Sequence, residues 1–271
     1  MTPWLSVRRG SAPLLVSLPH TGTDFPDAYE ARLVSPWRAR KDADWWIDRL
    51  YDFAAELDAT IVHTTISRTI IDVNRDPSGV SLYPGQATTE LCPTTTFDGE
   101  PLWREAPDVA EIAARGVAYF EPYHATITAE LARLRELHPT VVLYDCHSIR
   151  SVIPRLFDGV LPAMNIGTNS GASCAPALQA AIEGIAAASG FDHVANGRFK
   201  GGFITRAYGR PASGVHAVQM ELACRTYLAE PIPDVGEADW PPDYDPDHAA
   251  PMRAVLSRIL NACLDFARNA R

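Results

Sequence analysis

The sequence has no apolar stretch long enough to cross a bilayer, and its first ten residues lack the apolar core of a secretory signal. Basic residues do not cluster either: 24 lysines and arginines stand against 33 aspartates and glutamates, which gives a formal net charge of -9. Nucleic-acid binding draws its affinity from clustered basic side chains. These absences predict a cytoplasmic protein that binds neither membrane nor nucleic acid.

The sequence also has no cysteine pattern typical of disulphides or of structural zinc sites. The five cysteines are odd in number and none stands in a C-x-x-C spacing, which argues against a disulphide framework and against a structural zinc site. We expect reduced, mostly buried thiols. Cys146 is followed by His147, but alternation along a strand points the two side chains to opposite faces, so a thiol nucleophile is not favoured.

The chain does contain strand-like segments that alternate with helical ones, and no internal repeat. A length of 271 residues with 46% hydrophobic content suits one large or two small domains, and no linker composition divides the chain. We therefore predict a single domain over 1–271 with an α/β fold, a three-layer arrangement in which helices flank a central mixed, mainly parallel sheet. Apolar spacing predicts helices over 44–57, 110–137, 174–189 and 249–269.

Three strand-like runs end on residues that suit catalysis. Two stop at His20 and His147, and a third stops at Glu221. In open α/β sheets, ligands gather outside the carboxyl ends of the strands. Catalytic zinc commonly takes two histidines and one carboxylate and leaves a position open to water. The sequence therefore predicts a metal site, with zinc expected and Co²⁺ or Mn²⁺ as alternatives. Asp44 and Asp24 both remain candidates for the third ligand, because no H-x-x-E or H-E-x-x-H spacing decides between them.

Glu221 interrupts an apolar run over 218–222. A carboxylate in such a place is costly unless something pairs with it. One explanation is a buried structural ion pair with an arginine such as Arg225. We favour the other, in which Glu221 is the general base and acid of a metal-assisted hydrolysis.

Arginines near the predicted site indicate an anionic substrate. Arg68 and Arg75, with Asn74 beside the latter, follow an apolar strand, and arginine forks grip carboxylates in a bidentate manner. Arg206 offers a further positive charge after a pair of glycines. His124, on a predicted helix, either reaches the site or serves helix packing. The expected partner is a small anionic molecule, not a polymer.

Two long irregular segments complete the chain. Residues 77–108 are rich in Thr, Pro and Gly, and this length is unusual for a simple connection, so we predict a lid or a wall of the substrate site. Residues 231–251 are rich in proline and predict an extended surface segment before the last helix.

Several motifs, taken together over most of the chain, resemble the N-formylglutamate deformylase (N-formylglutamate amidohydrolase) family. They are Ser17-Leu18-Pro19-His20-Thr21-Gly22, Asp42-Ala43-Asp44-Trp45, Arg68-Thr69-Ile70-Ile71-Asp72-Val73-Asn74-Arg75-Asp76-Pro77, Asp145-Cys146-His147-Ser148, Asn165-Ile166-Gly167-Thr168, Gly202-Phe203-Ile204-Thr205-Arg206 and Gly214-Val215-His216-Ala217-Val218-Gln219-Met220-Glu221.

The resemblance implies a fold similar to that of zinc carboxypeptidases and aspartoacylases. It also implies zinc held by His20, Asp44 and His147, and Glu221 as general base and acid. Asn74 and Arg75 are implied near the substrate, since an Asn-Arg pair serves this purpose in aspartoacylases.

The implied reaction is hydrolysis of N-formyl-L-glutamate to formate and L-glutamate in histidine breakdown, with Arg68, Arg75 and Arg206 holding the two carboxylates. One departure concerns substrate range: the family pattern leads us to expect Asp-Trp-His, whereas this chain has Asp44-Trp45-Trp46. Two alternatives are a zinc amidohydrolase acting on another N-acyl amino acid or a peptide C-terminus, and a non-catalytic dicarboxylate-binding protein on the same scaffold. The oligomeric state does not follow from the sequence.

Overall fold

A mixed sheet runs through the part of the chain that the computed structural model describes, residues 4–80, 85 and 88–270. Its strands are β1 (Leu5–Arg8), β2 (Leu14–Leu18), β3 (Thr60–Thr64), β4 (Val141–Ile149), β5 (Met164–Gly167), β6 (His193–Ala195) and β7 (Val215–Ala223). The strand order is β1-β3-β2-β4-β7-β5-β6. Only the β1–β3 and β5–β7 pairings are antiparallel, so the predicted mixed, mainly parallel sheet is confirmed.

Helices cover both faces of this sheet. They are α1 (Asp27–Glu30), α2 (Pro36–Arg40), α3 (Ile47–Leu50), α4 (Val109–Arg115), α5 (Glu121–Leu137), α6 (Pro176–Ala187), α7 (Phe203–Tyr208) and α8 (Pro246–Asn269). One face packs against α6 and α8, and the other against α5. The three-layer α/β prediction is therefore confirmed. Among the described residues, no helix is both long enough and apolar enough to span a bilayer.

The predicted helix over 44–57 is wrong as one continuous element. The chain forms the short α3 and then a 3₁₀ turn at Asp52–Ala55. Trp46, directly before α3, has a φ of 60°, in the left-handed region, so a regular helix cannot begin at Asp44. Asp44 therefore lies two residues before the N-cap of α3, which is Trp46.

The long helix predicted over 110–137 is interrupted by a wider π turn at Gly116–Phe120. Pro122 follows in the first turn of α5, where its lack of an N–H removes one regular helical hydrogen bond. Beyond this point α5 is regular. Its buried residues Ile127, Leu131 and Leu134 lie at three- and four-residue spacing and pack against the sheet.

The proline-rich segment 231–251 is only partly the extended surface stretch that the sequence predicts. The side chain of Trp240 is 2% exposed, and its Nε1–H donates to the carbonyl of Lys41 at 2.8 Å. Helix α8 begins at Pro246, three residues earlier than predicted, because Asp245 caps it by accepting from the N–H of Asp247 at 2.9 Å. The segment is thus anchored to the core before the last helix.

The sheet face that packs on α5 changes character along its strands. On β4, Val141 and Leu143 are followed on the same face by Asp145 and His147, while Ala217 on β7 belongs to the same apolar cluster. The apolar core therefore occupies the amino-terminal half of this face. Its carboxyl end is left for polar side chains.

Candidate active site

A cavity opens at the carboxyl ends of β2, β4 and β7. His20, His147 and Glu221 line it together with Arg68 and Gln219. His20 stands two residues after the end of β2. On β4 and β7, His147 pairs directly with Glu221, and directly paired residues of neighbouring strands project to the same face. The strand ends thus bring together residues that are up to 201 positions apart in the sequence, from 20 to 221.

His20, Asp44 and His147 form the candidate metal site. Their potential ligand atoms all lie within 4.8 Å of one another. The Nδ1 atoms of His20 and His147 are 3.6 Å and 3.1 Å from Oδ2 of Asp44. All three side chains are buried. The N–H of Asp44 donates to the carbonyl of His20 at 2.9 Å, which ties the segment before α3 to the end of β2.

The opposite nitrogens of the two imidazoles are held by carboxylates. Nε2 of His20 lies 2.7 Å from Oδ1 of Asp72, and Nε2 of His147 lies 2.9 Å from Oδ2 of Asp145. Since a carboxylate only accepts, each Nε2 carries the hydrogen of the bond, and each Nδ1 is the nitrogen that faces Asp44. Carboxylates behind ligand histidines are the usual way in which proteins orient imidazoles toward a metal.

The charges of this group favour ionised carboxylates. Burial alone would raise the pKa of Asp44, but the adjacent imidazoles of His147 and His20 hold it below its usual range. For Asp72, burial is likewise outweighed by electrostatic attraction to the neighbouring His20 and Arg68, so its pKa lies well below the ordinary value. Both side chains are therefore anions at neutral pH.

Glu221 is buried at the edge of the candidate metal site. Burial raises its pKa to about 7, and the negative charge of Asp44 acts in the same direction, against the opposing effect of His147. Among the described residues, no ion pair joins Glu221 to Arg225, whose NH2 lies 3.6 Å from Oδ1 of Asp192. The structural explanation of Glu221 as a partner of Arg225 is therefore wrong.

Gln219 orients Glu221. Its Oε1 accepts from the N–H of Gly202 at 2.7 Å, which fixes the side-chain amide so that Nε2 is the donor. Nε2 then donates to Oε2 of Glu221 at 2.9 Å. One oxygen of the carboxylate is thus held by protein, and the rotation of the carboxylate is restricted.

Arginines form part of the cavity wall. NH2 of Arg68 donates to Oδ2 of Asp72 at 2.7 Å, its NH1 is 3.5 Å from Oδ1 of Asp44, and its guanidinium stacks 4.8 Å from the ring centroid of Phe97. Arg75 donates from NH2 to Oγ1 of Thr89 at 3.1 Å. The cavity therefore combines carboxylates at its base with fixed positive charge around them.

Comparison with known proteins decides the family. The model of the family described as N-formylglutamate amidohydrolase matches residues 12–228. The chain is 49% identical over 267 residues to the N-formylglutamate deformylase of Pseudomonas aeruginosa, with 97% of both chains covered. The protein of the same name from Pseudomonas putida is 48% identical, with 96% of this chain and 95% of the relative covered. The chain belongs to the N-formylglutamate amidohydrolase family.

Solved structures agree with the fold of this family. The N-formylglutamate amidohydrolase from Ralstonia eutropha JMP134 superposes with a TM-score of 0.79 at 22% identity and covers 99% of both chains. A protein from Agrobacterium tumefaciens gives a TM-score of 0.73 at 17% identity, over 98% of this chain and 96% of that one. The family resemblance predicted from the motifs is confirmed, and the matched region 12–228 contains every candidate site residue.

Within this family scaffold, the structure brings Asp44, and not Asp24, to the two histidines. Asp24 is exposed and forms an isolated bridge with Ile66. It stands outside the one group of potential metal ligands found among the described residues. Of the two carboxylates that the sequence left open, only Asp44 has the position for the third ligand.

Asn74 lies behind His147 and also borders the cavity. Its Oδ1 accepts from the N–H of Ile204 at 2.8 Å, and its Nδ2 lies 3.3 Å from Oδ2 of Asp145 and 2.9 Å from Nε2 of His147. Because Nε2 of His147 carries a hydrogen, Nδ2 of Asn74 donates to Asp145 and so supports the carboxylate that holds His147. A substrate contact by Asn74 stays a prediction.

His124 and Arg206 do not line the cavity. Nε2 of His124 donates to the carbonyl of Val73 at 2.8 Å, and its Nδ1 meets the hydroxyl of Tyr208 at 2.9 Å. Arg206 donates from Nε to the carbonyl of Gly201 at 2.9 Å. The geometry of His124 matches the packing alternative raised by the sequence. The structure gives no direct support for a substrate contact by His124 or by Arg206.

Trp46, which stands where the family pattern suggests histidine, does not line the cavity either. Its Nε1–H donates to the carbonyl of Pro242 at 2.9 Å. Cys146 faces the apolar core opposite His147, burial raises its pKa well above the usual value, and all five cysteines are free and buried. A thiol nucleophile is therefore excluded, as the strand alternation predicts.

Part of the long segment 77–108 forms a wall of the cavity through Thr88, Thr89 and Phe97. Residues 81–84, 86 and 87, which belong to the same predicted lid or wall, lie outside the described residues. A lid function stays a prediction. The wall prediction agrees with the part of the segment that the structure describes.

Sequence reasoning missed three residues at this site: Asp72, Gln219 and Arg198. Gln219 had a readable signal, because it lies two positions before Glu221 on the same face of β7. Asp72 and Arg198 follow irregular backbone, where no periodicity predicts which way a side chain points.

Proposed function

We propose that this protein hydrolyses the formamide bond of N-formyl-L-glutamate and releases formate and L-glutamate. The observation that carries the proposal is the placement of Glu221 beside the His20, Asp44 and His147 group in one arginine-lined cavity. The relatives named N-formylglutamate deformylase, at 49% and 48% identity, support the choice of substrate. A part in histidine breakdown and a cytoplasmic location stay predictions.

We also propose that His20, Asp44 and His147 hold a divalent metal, with zinc as the first choice. Nδ1 of His20 is buried and has no hydrogen-bond partner among the described residues. A buried nitrogen that faces a carboxylate and a second imidazole suits a metal ligand, and two nitrogens with one oxygen suit zinc. When bound, the metal would supply Lewis-acid polarisation of the formyl oxygen and a lower pKa for the attacking water.

Glu221 is the proton carrier of the proposed reaction. It takes a proton from the water that adds to the formyl carbon, and it returns the proton to the leaving nitrogen as the C–N bond breaks. Burial raises the pKa of the Glu221 carboxyl group, which suits a group that both accepts and donates a proton. The hydrogen bond from Gln219 leaves Oε1 of Glu221 as the oxygen for proton transfer.

Arg68 supplies positive charge beside the reacting group. Its guanidinium is buried and is fixed by Asp72, Asp44 and the ring of Phe97. A fixed cation in a buried site stabilises the negative charge that develops on the formyl oxygen in the tetrahedral intermediate. Arg75, whose side chain is 21% exposed against 8% for Arg68, is available for a carboxylate of the substrate.

The test is a formate-release assay joined to metal analysis of the purified protein. We expect stoichiometric formate and glutamate from N-formylglutamate, loss of activity after chelation and recovery with zinc. N-acetylaspartate and short peptides, as parallel substrates, test the alternative acylase and peptidase activities. Binding of N-formylglutamate without formate release by the metal-loaded protein would refute the proposal in favour of a binding protein.

A further inference from the structure

The described part of the cavity wall contains three arginines in different surroundings: Arg68, Arg75 and Arg198. The proposed substrate carries two carboxylates, one on the carbon attached to the scissile amide and one at the end of its side chain. The question is therefore which arginine meets which carboxylate. The answer rests on the proposed function above.

Arg68 is already engaged at the base of the cavity. It donates to Asp72 at 2.7 Å and lies 3.5 Å from Asp44. Two buried carboxylates balance its charge, and its place beside the candidate metal ligand suits the scissile bond. A distant substrate carboxylate needs a different cation.

Arg75 belongs to the same side of the cavity as the candidate metal site. Its Nε lies 3.6 Å from Oδ2 of Asp72, whose Oδ1 is 2.7 Å from Nε2 of His20. The substrate carboxylate next to the scissile amide must bind close to the reacting centre. Arg75 is the arginine whose contacts place it there.

Arg198 stands beside a mainly apolar part of the cavity lining. Its Nε donates to the carbonyl of Leu156 at 2.9 Å, and its guanidinium carbon lies 5.3 Å from the ring centroid of Phe199. Leu156, Phe199 and Ile149 line the cavity alongside it. The Nε hydrogen bond and the ring contact restrict the guanidinium, which lowers the entropy lost when a ligand binds.

We propose that Arg198 binds the side-chain carboxylate of the substrate and thereby makes the enzyme selective for a second negative charge. The apolar side chains around it match the methylene groups between the two carboxylates, and the guanidinium matches the charge at their end. Arg75 and Arg198, which both line the cavity, then hold the substrate at its two ends. The residue sets specificity and takes no part in the proton transfers.

The experiment compares N-formylglutamate with N-formylglutamine, which has nearly the same shape and no charge at the end of its side chain. In Arg198→Met we expect kcat/KM for N-formylglutamate to fall by about 10- to 100-fold, the usual effect of losing one charge-assisted hydrogen bond. The loss should lie in KM, with kcat little changed. For N-formylglutamine, kcat/KM should stay within about threefold of the wild-type value, since that substrate has no carboxylate for Arg198.

Arg75→Met is the matched control, because both substrates share the carboxylate beside the amide and should lose activity equally. Arg198→Lys, which keeps the charge, should recover part of the preference for N-formylglutamate. An equal loss on both substrates in Arg198→Met, or no loss on either, would overturn the proposal. Failure of the wild-type protein to release formate from N-formylglutamate would instead overturn the proposed function itself, before any variant is compared.

Discussion

At the scale of single residues, Glu221 gives the sharpest test of the proposed chemistry. Glu221→Gln keeps the shape and the partner Gln219 but cannot accept a proton. We expect turnover to fall by about 10²- to 10⁴-fold, the usual worth of a general base, while zinc content stays at the wild-type level. Steady-state formate release and metal analysis on the same preparation measure both. Near-normal turnover with full metal content would contradict the role of Glu221.

Gln219 should act through Glu221. Because its amide is fixed by the N–H of Gly202 at 2.7 Å, Gln219→Leu removes the donor to Glu221 at similar size. We expect kcat to fall by about 10-fold or more, since a hydrogen bond to a charged group is worth about 1.5–3 kcal/mol, with KM and zinc content little changed. Kinetics on N-formylglutamate separate the two constants. A change confined to KM would mean that Gln219 contacts the substrate instead.

The burial of His124 leads us to predict a pH dependence of the free energy of unfolding. Burial lowers its pKa to about 4 from the usual 6.5. Above pH 6.5 the imidazole is neutral in both states, so it has no effect on folding. Between pH 6.5 and 4 the unfolded chain takes up a proton that the folded protein does not, so stability falls with falling pH, by up to about 3 kcal/mol.

The matched variant for this prediction is His124→Gln, which retains hydrogen-bonding capacity toward Val73 and Tyr208 without a titration near neutral pH. Urea unfolding at pH 7 and pH 5 measures the slope for both proteins. We expect a smaller loss of stability in the variant between these two pH values. An unchanged slope would assign the acid sensitivity to other groups.

At the scale of elements, sequence patterns predict the strands and helices that carry regular alternation. Strands β4 and β7 and the last helix, which ends at Asn269, are found where apolar periodicity indicates, although both strands run two residues beyond the predicted ends at His147 and Glu221. The break at Trp46 could not be predicted, because a positive φ in a residue other than glycine depends on tertiary contacts, here the hydrogen bond of its indole to Pro242. The local sequence pattern therefore predicts the regular helices and strands better than it predicts the segments that connect them.

The segment around Phe97 shows how one of those intervening segments is positioned. Asp98 accepts from Nζ of Lys41 at 2.6 Å and from NH2 of Arg150 at 2.7 Å. These ion pairs tie the segment to residues next to α2 and β4. They therefore fix the ring of Phe97 against Arg68 in the cavity.

We expect Asp98→Asn to weaken this attachment and to lower kcat/KM for N-formylglutamate by about 10-fold, since charge-assisted hydrogen bonds of this kind are worth about 1.5–3 kcal/mol and part is retained by the amide. Asp158→Asn, an exposed change of the same charge, is the control and should leave kcat/KM unaltered. Equal activity of both variants would show that the ion pairs do not position Phe97.

At the scale of the whole molecule, the candidate site depends on contacts that no local pattern contains. His20 can be recognised because it follows the buried strand β2, and His147 because it lies near the carboxyl end of the buried strand β4. Parallel strands end at one edge of a sheet. Asp44 could not be separated from Asp24 by sequence, since both lie in irregular backbone after His20. The folded chain separates them, because the N–H of Asp44 donates to the carbonyl of His20 at 2.9 Å and so brings Asp44 beside the histidine.

The position of Asp44 beside the two histidines predicts how metal binding affects the thermal stability of the protein. A ligand that binds only the folded state adds about 3 kcal/mol at a hundredfold excess over its Kd, so zinc should raise the thermal midpoint of the chelator-treated protein by several degrees. Asp24→Asn should show the full shift. Asp44→Asn should lose most of it, because the two histidines alone leave the ion without its anionic ligand. A full shift in Asp44→Asn together with a lost shift in Asp24→Asn would reverse the assignment of the third ligand.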